Sequence, residues 1–168
     1  MNAVTRTQKY WMEITDQIAQ ASTCRVKLGC VLMHQGLIVG TGYTGSLSGD
    51  QHCCDAGCLL METELLGSSP QKKETCIRTM HAELNAVLKC AVRDSMFAFC
   101  TYEPCLRCTQ ALLQIGVRAI YYRYPYKDVW RDVFLKQTEI SCRIEPYDEH
   151  GTLYPDSPLG KTINGRMI

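Results

Sequence analysis

Eleven cysteines in a chain of 168 residues limit what this sequence can become more than any other feature. Their placement matters more than their number. Cys53, Cys54, Cys58 and Cys76 fall in one stretch, and Cys105 and Cys108 form a C-x-x-C. A small secreted protein would pair such thiols in disulfides. The N-terminus, MNAVTRTQKYWMEITD, is charged and interrupted and does not read as a signal peptide. A cytoplasmic setting is therefore expected, and in a reducing compartment clustered thiols are more often metal ligands. Residues 42–80 make the same demand from another direction. They hold GYTGSLSGDQ, then the cysteines, then LLGSSPQKKET. A compact domain rarely keeps so long an irregular loop unless something fixes it, and a metal staple would do so. Cys30, Cys90, Cys100 and Cys142 are scattered and suit buried positions as small apolar residues.

The rest of the chain is regular. Residues 7–21 put Tyr10, Trp11, Ile14, Ile18 and Ala21 at helical spacing. Two apolar runs, 28–33 and 37–40, flank His34-Gln35-Gly36, a hairpin turn in which glycine takes a positive φ. Residues 81–92 predict a helix with an apolar stripe at Leu84, Val87, Leu88 and Ala91. Residues 96–102 read as a buried strand, followed by a helix that Pro104 starts and Gly116 ends. A strand over 117–123, an amphipathic helix over 127–138 and a strand over 140–144 follow. The tail, about 147–168, reads as irregular. This order predicts one α/β domain over 1–168, with a loop insertion at about 45–76. Its mixed sheet of about five strands would carry helices on both faces, with parallel pairs arising from β-α-β crossovers. No apolar run approaches the roughly 20 residues of a membrane span. Lys plus Arg is 18 and Asp plus Glu is 17, so the net charge of +1 suggests no broad face for nucleic acid or membrane.

His81-Ala82-Glu83 and Pro104-Cys105-Leu106-Arg107-Cys108 carry the chemistry. Three apart, Cys105 and Cys108 face the same way from the first turn of a helix. Unpaired amides at that helix start favour thiolates. His81, at the head of the preceding helix, offers a third ligand. Three protein ligands to Zn2+ leave a position for water, as in catalytic rather than closed sites. Zinc lowers the pKa of such a water from about 15.7 to about 7. Glu83 is placed to shuttle protons across the open face rather than to bind the ion. A closed structural site, the rival reading, has no use for Glu83.

These residues resemble the deoxycytidylate deaminase family, within the wider cytidine deaminase-like fold, over roughly residues 22–126. H-x-E with P-C-x-x-C is common to the zinc deaminases of that fold. The resemblance includes Ser22-Thr23-Cys24 and residues 40–45, and the cysteine-rich loop before Cys76-Ile77-Arg78-Thr79-Met80-His81-Ala82-Glu83 is what favours the deoxycytidylate branch. The resemblance implies a three-layer α/β/α fold and hydrolysis of dCMP to dUMP and ammonia. Glu83 would take a proton from water, protonate the ring nitrogen and later the departing ammonia, with a backbone N–H near Cys105 as an oxyanion donor. It also implies a second, structural Zn2+ whose ligands map to Cys24, Cys53, Cys58 and Cys76, with Cys54 and His52 as alternatives. A homo-oligomer is implied, a hexamer being favoured, together with dCTP and dTTP effectors acting with Mg2+. Neither a polynucleotide nor a membrane is an expected partner.

The chain departs from the family at Thr44, where G-Y-N-G normally supplies an asparagine that helps bind substrate, and it lacks the proline usual shortly after. That divergence leaves effector control open. Candidate substrate contacts are Thr44, Asn85, Arg25 and Tyr124, with Lys27 beside Arg25. Each has a plainer reading: a buried hydrogen bond for Asn85, solvated side chains for Arg25 and Lys27, and core positions for half of Tyr121, Tyr122, Tyr124 and Tyr126. Glu103 would bond the following helix start, Arg107 would point away from the metal, and His34 and His150 carry no role. Two rivals remain. One is a deaminase of the same fold acting on another cytosine nucleotide, nucleoside or polynucleotide base. The other is a catalytically dead, zinc-organised binding module, which the presence of Glu83 disfavours.

Overall fold

A computed structural model describes residues 6–63 and 73–147. Helix α1 (Arg6–Gln20) buries Met12, Thr15 and Ala19, with Trp11, Ile14 and Ile18 packed alongside. Tyr10, expected on that face, is exposed. Strands β1 (Gly29–His34) and β2 (Leu37–Tyr43) form the predicted hairpin. Gln35 and Gly36 both take positive φ, 49° and 80°, the primed turn that matches strand twist. After α3 (Ala82–Lys89) come β5 (Met96–Tyr102), α4 (Leu106–Gln114), β6 (Val117–Tyr124), α5 (Val129–Gln137) and β7 (Arg143–Pro146). Gly116, at φ 90°, ends the α4 segment as expected.

The five-stranded sheet runs β2-β1-β5-β6-β7. β1 is antiparallel to both neighbours, and β5, β6 and β7 are parallel through the α4 and α5 crossovers. Alternation along the strands makes two cores. Val31, Met33, Phe99, Ala119 and Tyr121 face α1. Cys30, Leu32, Ala98, Cys100 and Ile120 face α3 and α4. This is the mixed α/β/α sheet that the element order implies.

Four expectations need correction. Residues 45–76 are not simply irregular: they contain a short helix, α2 (Cys53–Ala56), and the antiparallel strands β3 (Leu60–Thr63) and β4 (Lys73–Cys76). The last strand begins at Arg143 rather than 140, because it pairs with β6 from Ala119 onward. Helix α3 buries Ala82, Glu83 and Ala86 most deeply; of the expected stripe Val87 packs against the core, Leu84 is half-buried and Leu88 is 73% exposed. The reason lies in β2, whose glycines let the helix backbone approach. A Cβ on Gly42 would stand 2.1 Å from the Ala82 carbonyl oxygen, and one on Gly40 2.9 Å from that of Ala86. Only small residues fit that seam. Finally, α5 exposes Val129, Trp130 and Val133 and buries Arg131. The tail beyond 147, with His150, lies outside the described residues. Among the described residues no helix is long and apolar enough to cross a membrane.

Candidate active site

The starts of α3 and α4 meet. His81 is the N-cap of α3 and Cys105 the N-cap of α4, with Cys108 one turn further on. His81 Nδ1 lies 3.6 Å from Cys105 Sγ and 3.3 Å from Cys108 Sγ. Zn–S and Zn–N bonds of ordinary length at tetrahedral angles set that edge at about 3.6 Å. The donors therefore fit a zinc ion. Their ligand atoms all lie within 4.8 Å of one another, and among the described residues no fourth His, Cys, Asp or Glu joins them. His81 is exposed and Cys108 buried, so the trio opens to one side.

The two thiols are shifted in opposite directions. Cys105 falls to about 4, chiefly through its hydrogen bond with Cys108, with the His81 ring also lowering it. That hydrogen bond and burial push Cys108 far up. Glu83 is 6% exposed and its carboxyl is raised, first by burial, while His81 opposes the shift. Its side chain bonds the Cys108 thiol, so it is directed at the trio. A buried carboxyl with a raised pKa, aimed at such a site, is suited to carrying protons.

The second cluster gathers Cys53, Cys58 and Cys76, again within 4.8 Å. Cys53 Sγ and Cys76 Sγ are 3.7 Å apart, close to the S–S edge of a tetrahedral thiolate site, about 3.8 Å. Cys24 is not within that radius of all three, but it adjoins them through Thr79. The Thr79 hydroxyl lies 3.1 Å from Cys24 Sγ and 3.5 Å from both Cys53 Sγ and Cys76 Sγ. Burial raises Cys53 to about 11. Burial also opposes the Cys76 thiolate, yet hydrogen bonds from Thr79 and backbone amides bring it to about 7. Of the alternatives, Cys54 is exposed and bonds Asp55, and His52 Nδ1 lies 3.2 Å from Thr23 Oγ1.

The candidate substrate contacts divide. Thr44 is 4% exposed and committed to the α1–β1 connection. Its hydroxyl donates to Val26 O at 2.6 Å, accepts from Leu28 N at 3.1 Å and lies 2.8 Å from Ser22 Oγ. Asn85 Nδ2 donates to Tyr43 O at 2.9 Å. Arg25 and Tyr124 meet in a cleft of about 450 Å3 on the α1 side, with Lys27, Thr101, Arg123 and Asp16. Tyr121 is core, stacked on Phe99, while Tyr124 packs against Tyr102. Glu103 does not bond the α4 start; it accepts from Tyr126 N and pairs with Arg131. The Leu106 amide, near the expected oxyanion donor, is taken by Asp128 Oδ2 at 2.8 Å. Arg107 is exposed beside Gln110, as expected. Sequence reasoning missed Thr79, Asp128 and Arg131. Asp128 ahead of the amphipathic run was a readable N-cap signal; Arg131 and Thr79 carried none.

Residues 5–124 match the family described as the cytidine and deoxycytidylate deaminase zinc-binding region. The chain belongs to that family. Among its relatives, ComE operon protein 2 of Bacillus subtilis is 32% identical over 71% of this chain and 60% of its own length. The deoxycytidylate deaminase of Schizosaccharomyces pombe is 31% identical over 70% of this chain, which spans 37% of that enzyme. That of Mycobacterium phage D29 is 32% identical over 68% of this chain and 91% of its own. The crystal structure of dCMP deaminase from cyanophage S-TIM5 in complex with dCMP and dUMP superposes with a TM-score of 0.61. It is 27% identical, covering 83% of this chain and 95% of that one. The family match contains every candidate metal ligand and Glu83.

Proposed function

We propose that this chain is a zinc-dependent deaminase that hydrolyses dCMP to dUMP and ammonia. The observation that carries the reading is Glu83: a buried carboxyl, raised by burial, bonded to Cys108 beside a three-donor site. His81, Cys105 and Cys108 would hold the ion, and Zn2+ bound there would make water acidic enough to serve as a nucleophile near neutral pH. Glu83 then does the proton work. Ionised, it accepts a proton from water as oxygen adds to the ring carbon bearing the amine. It hands that proton to the adjacent ring nitrogen and later helps protonate the leaving ammonia. Its burial keeps bulk water from competing for the proton. Cys53, Cys58 and Cys76, with Cys24 as the fourth donor, would hold a second ion, which would tie α2 and the end of β4 to the α1–β1 connection.

The relatives named for deoxycytidylate deamination support dCMP as substrate. Arg25 and Lys27 offer positive charge to its phosphate at the cleft they share with Tyr124. Effector binding and assembly into a homo-oligomer belong to the same reading. The test is ammonia release from dCMP, dCTP, deoxycytidine, CMP and a single-stranded oligonucleotide. Preference for dCMP is expected, and preference for the oligonucleotide would overturn the assignment.

A further inference from the structure

Helix α5 turns an arginine into the protein where an apolar side chain would be ordinary. Arg131 is 4% exposed. Nη1 donates to the Pro104 and Tyr126 carbonyls, each at 3.0 Å. Nη2 reaches Glu103 Oε1 at 3.0 Å and Asp132 Oδ1 at 2.8 Å, and Nε reaches Asp132 Oδ1 at 3.1 Å. Asp128, the N-cap of α5, completes the arrangement. Its Oδ1 accepts from Arg131 N at 3.0 Å and its Oδ2 from Leu106 N at 2.8 Å. One carboxylate thus caps two helices, its own and α4. Glu103 Oε2 also accepts from Tyr126 N at 3.1 Å. Glu103, Pro104 and Leu106, the residues gripped in this way, flank Cys105 on both sides. Burying a guanidinium is unfavourable unless its donors are paired; here two go to the turn before α4, at Glu103 and Pro104, and the rest to Tyr126 and Asp132.

We propose that Arg131 and Asp128 are positioning residues for the sulfur pair. They fix the turn from Pro104 to Leu106, and with it Cys105 and Cys108, at the separation from His81 that zinc requires. This rests on reading those three residues as the zinc ligands. Lysine cannot replace the arginine, because only the planar fork serves two carbonyls and two carboxylates together. Loosening the turn weakens the hold on the ion and lowers kcat, with little change in KM for dCMP.

The test uses the full chain loaded with metal. Release to a chromogenic chelator is followed in wild type, in Arg131→Lys, and in the charge-matched pair Glu103→Gln with Arg131→Met. His81→Ala identifies the release phase belonging to this site. That phase is expected to quicken about tenfold or more in both variants. The ion at Cys53, Cys58 and Cys76 should leave at its wild-type rate. Cobalt-loaded protein should show a shifted thiolate absorption. If the double variant does not fold, Arg131→Lys and Asp128→Ala decide on the same readouts. Unchanged release and spectra would overturn the proposal, as would equal quickening of both ions. Wild-type protein lacking any His81-dependent phase would instead refute the zinc reading itself.

Discussion

The two sulfur clusters use nearly the same donors and differ in their company. His81, Cys105 and Cys108 sit at the starts of α3 and α4, both packed against the central sheet, and have a buried carboxyl directed at them. Cys53, Cys58 and Cys76 come from a four-residue helix, the chain after it and the end of a short hairpin. Their neighbours are a hydroxyl and a further thiol, those of Thr79 and Cys24. A fourth sulfur nearby suits a closed, structural ion, whereas an acid nearby suits a reactive one. The ligands alone do not distinguish the two; their neighbours do.

The contrast breaks most sharply at Glu83. Glu83→Gln should lower ammonia release from dCMP by about 10^3-fold, within the range of acid–base catalysis. Metal content and melting temperature should barely change, and unchanged turnover would end the mechanistic account. Cys76→Ser should do the reverse. It should cost one of two bound ions, and a loss of about 3 kcal/mol lowers Tm by about 6–12 °C in a chain of this size. Turnover of the folded fraction at low temperature should stay near wild type; metal analysis with calorimetry checks both. A subtler difference lies in pH. Glu83 must be ionised to accept a proton and burial raises its pKa, so the acid limb of kcat should lie above the ordinary 4.5. A limb at or below that value would mean the carboxyl is not the acceptor. The smallest effect is expected for Thr79→Val, which keeps the shape and removes the hydroxyl shared by three sulfurs. It should lower stability by about 1 kcal/mol, seen as faster loss of the second ion only.

Much of this was legible in the sequence. The mixed five-stranded sheet, the α3 and α4 starts and the donor trio follow from element order, from spacing and from Pro104 and Gly116; the order of strands within the sheet does not. The illegible parts share a cause: contacts made across the fold override local pattern. Leu84 and Leu88 look like a core stripe, but the glycines of β2 select Ala82 and Ala86 instead. Nothing local marks Arg131 as buried, because its partners Glu103 and the Pro104 carbonyl come from another element. Thr44 looks like a weakened substrate contact, yet its hydroxyl is engaged by Val26 and Leu28. Residues 45–76 look irregular because the strands within them are four residues long, too short for a period to show.

At Gly42 the seam between α3 and β2 is main chain against main chain. Where main chain rests on main chain, there are no rotamers to adjust and no methylene to trim. The helix that presents His81 and Glu83 is therefore seated as on a machined bearing. In a saturation library, alanine at position 42 should be as damaging as tryptophan there, because either lifts the whole catalytic helix off its seat.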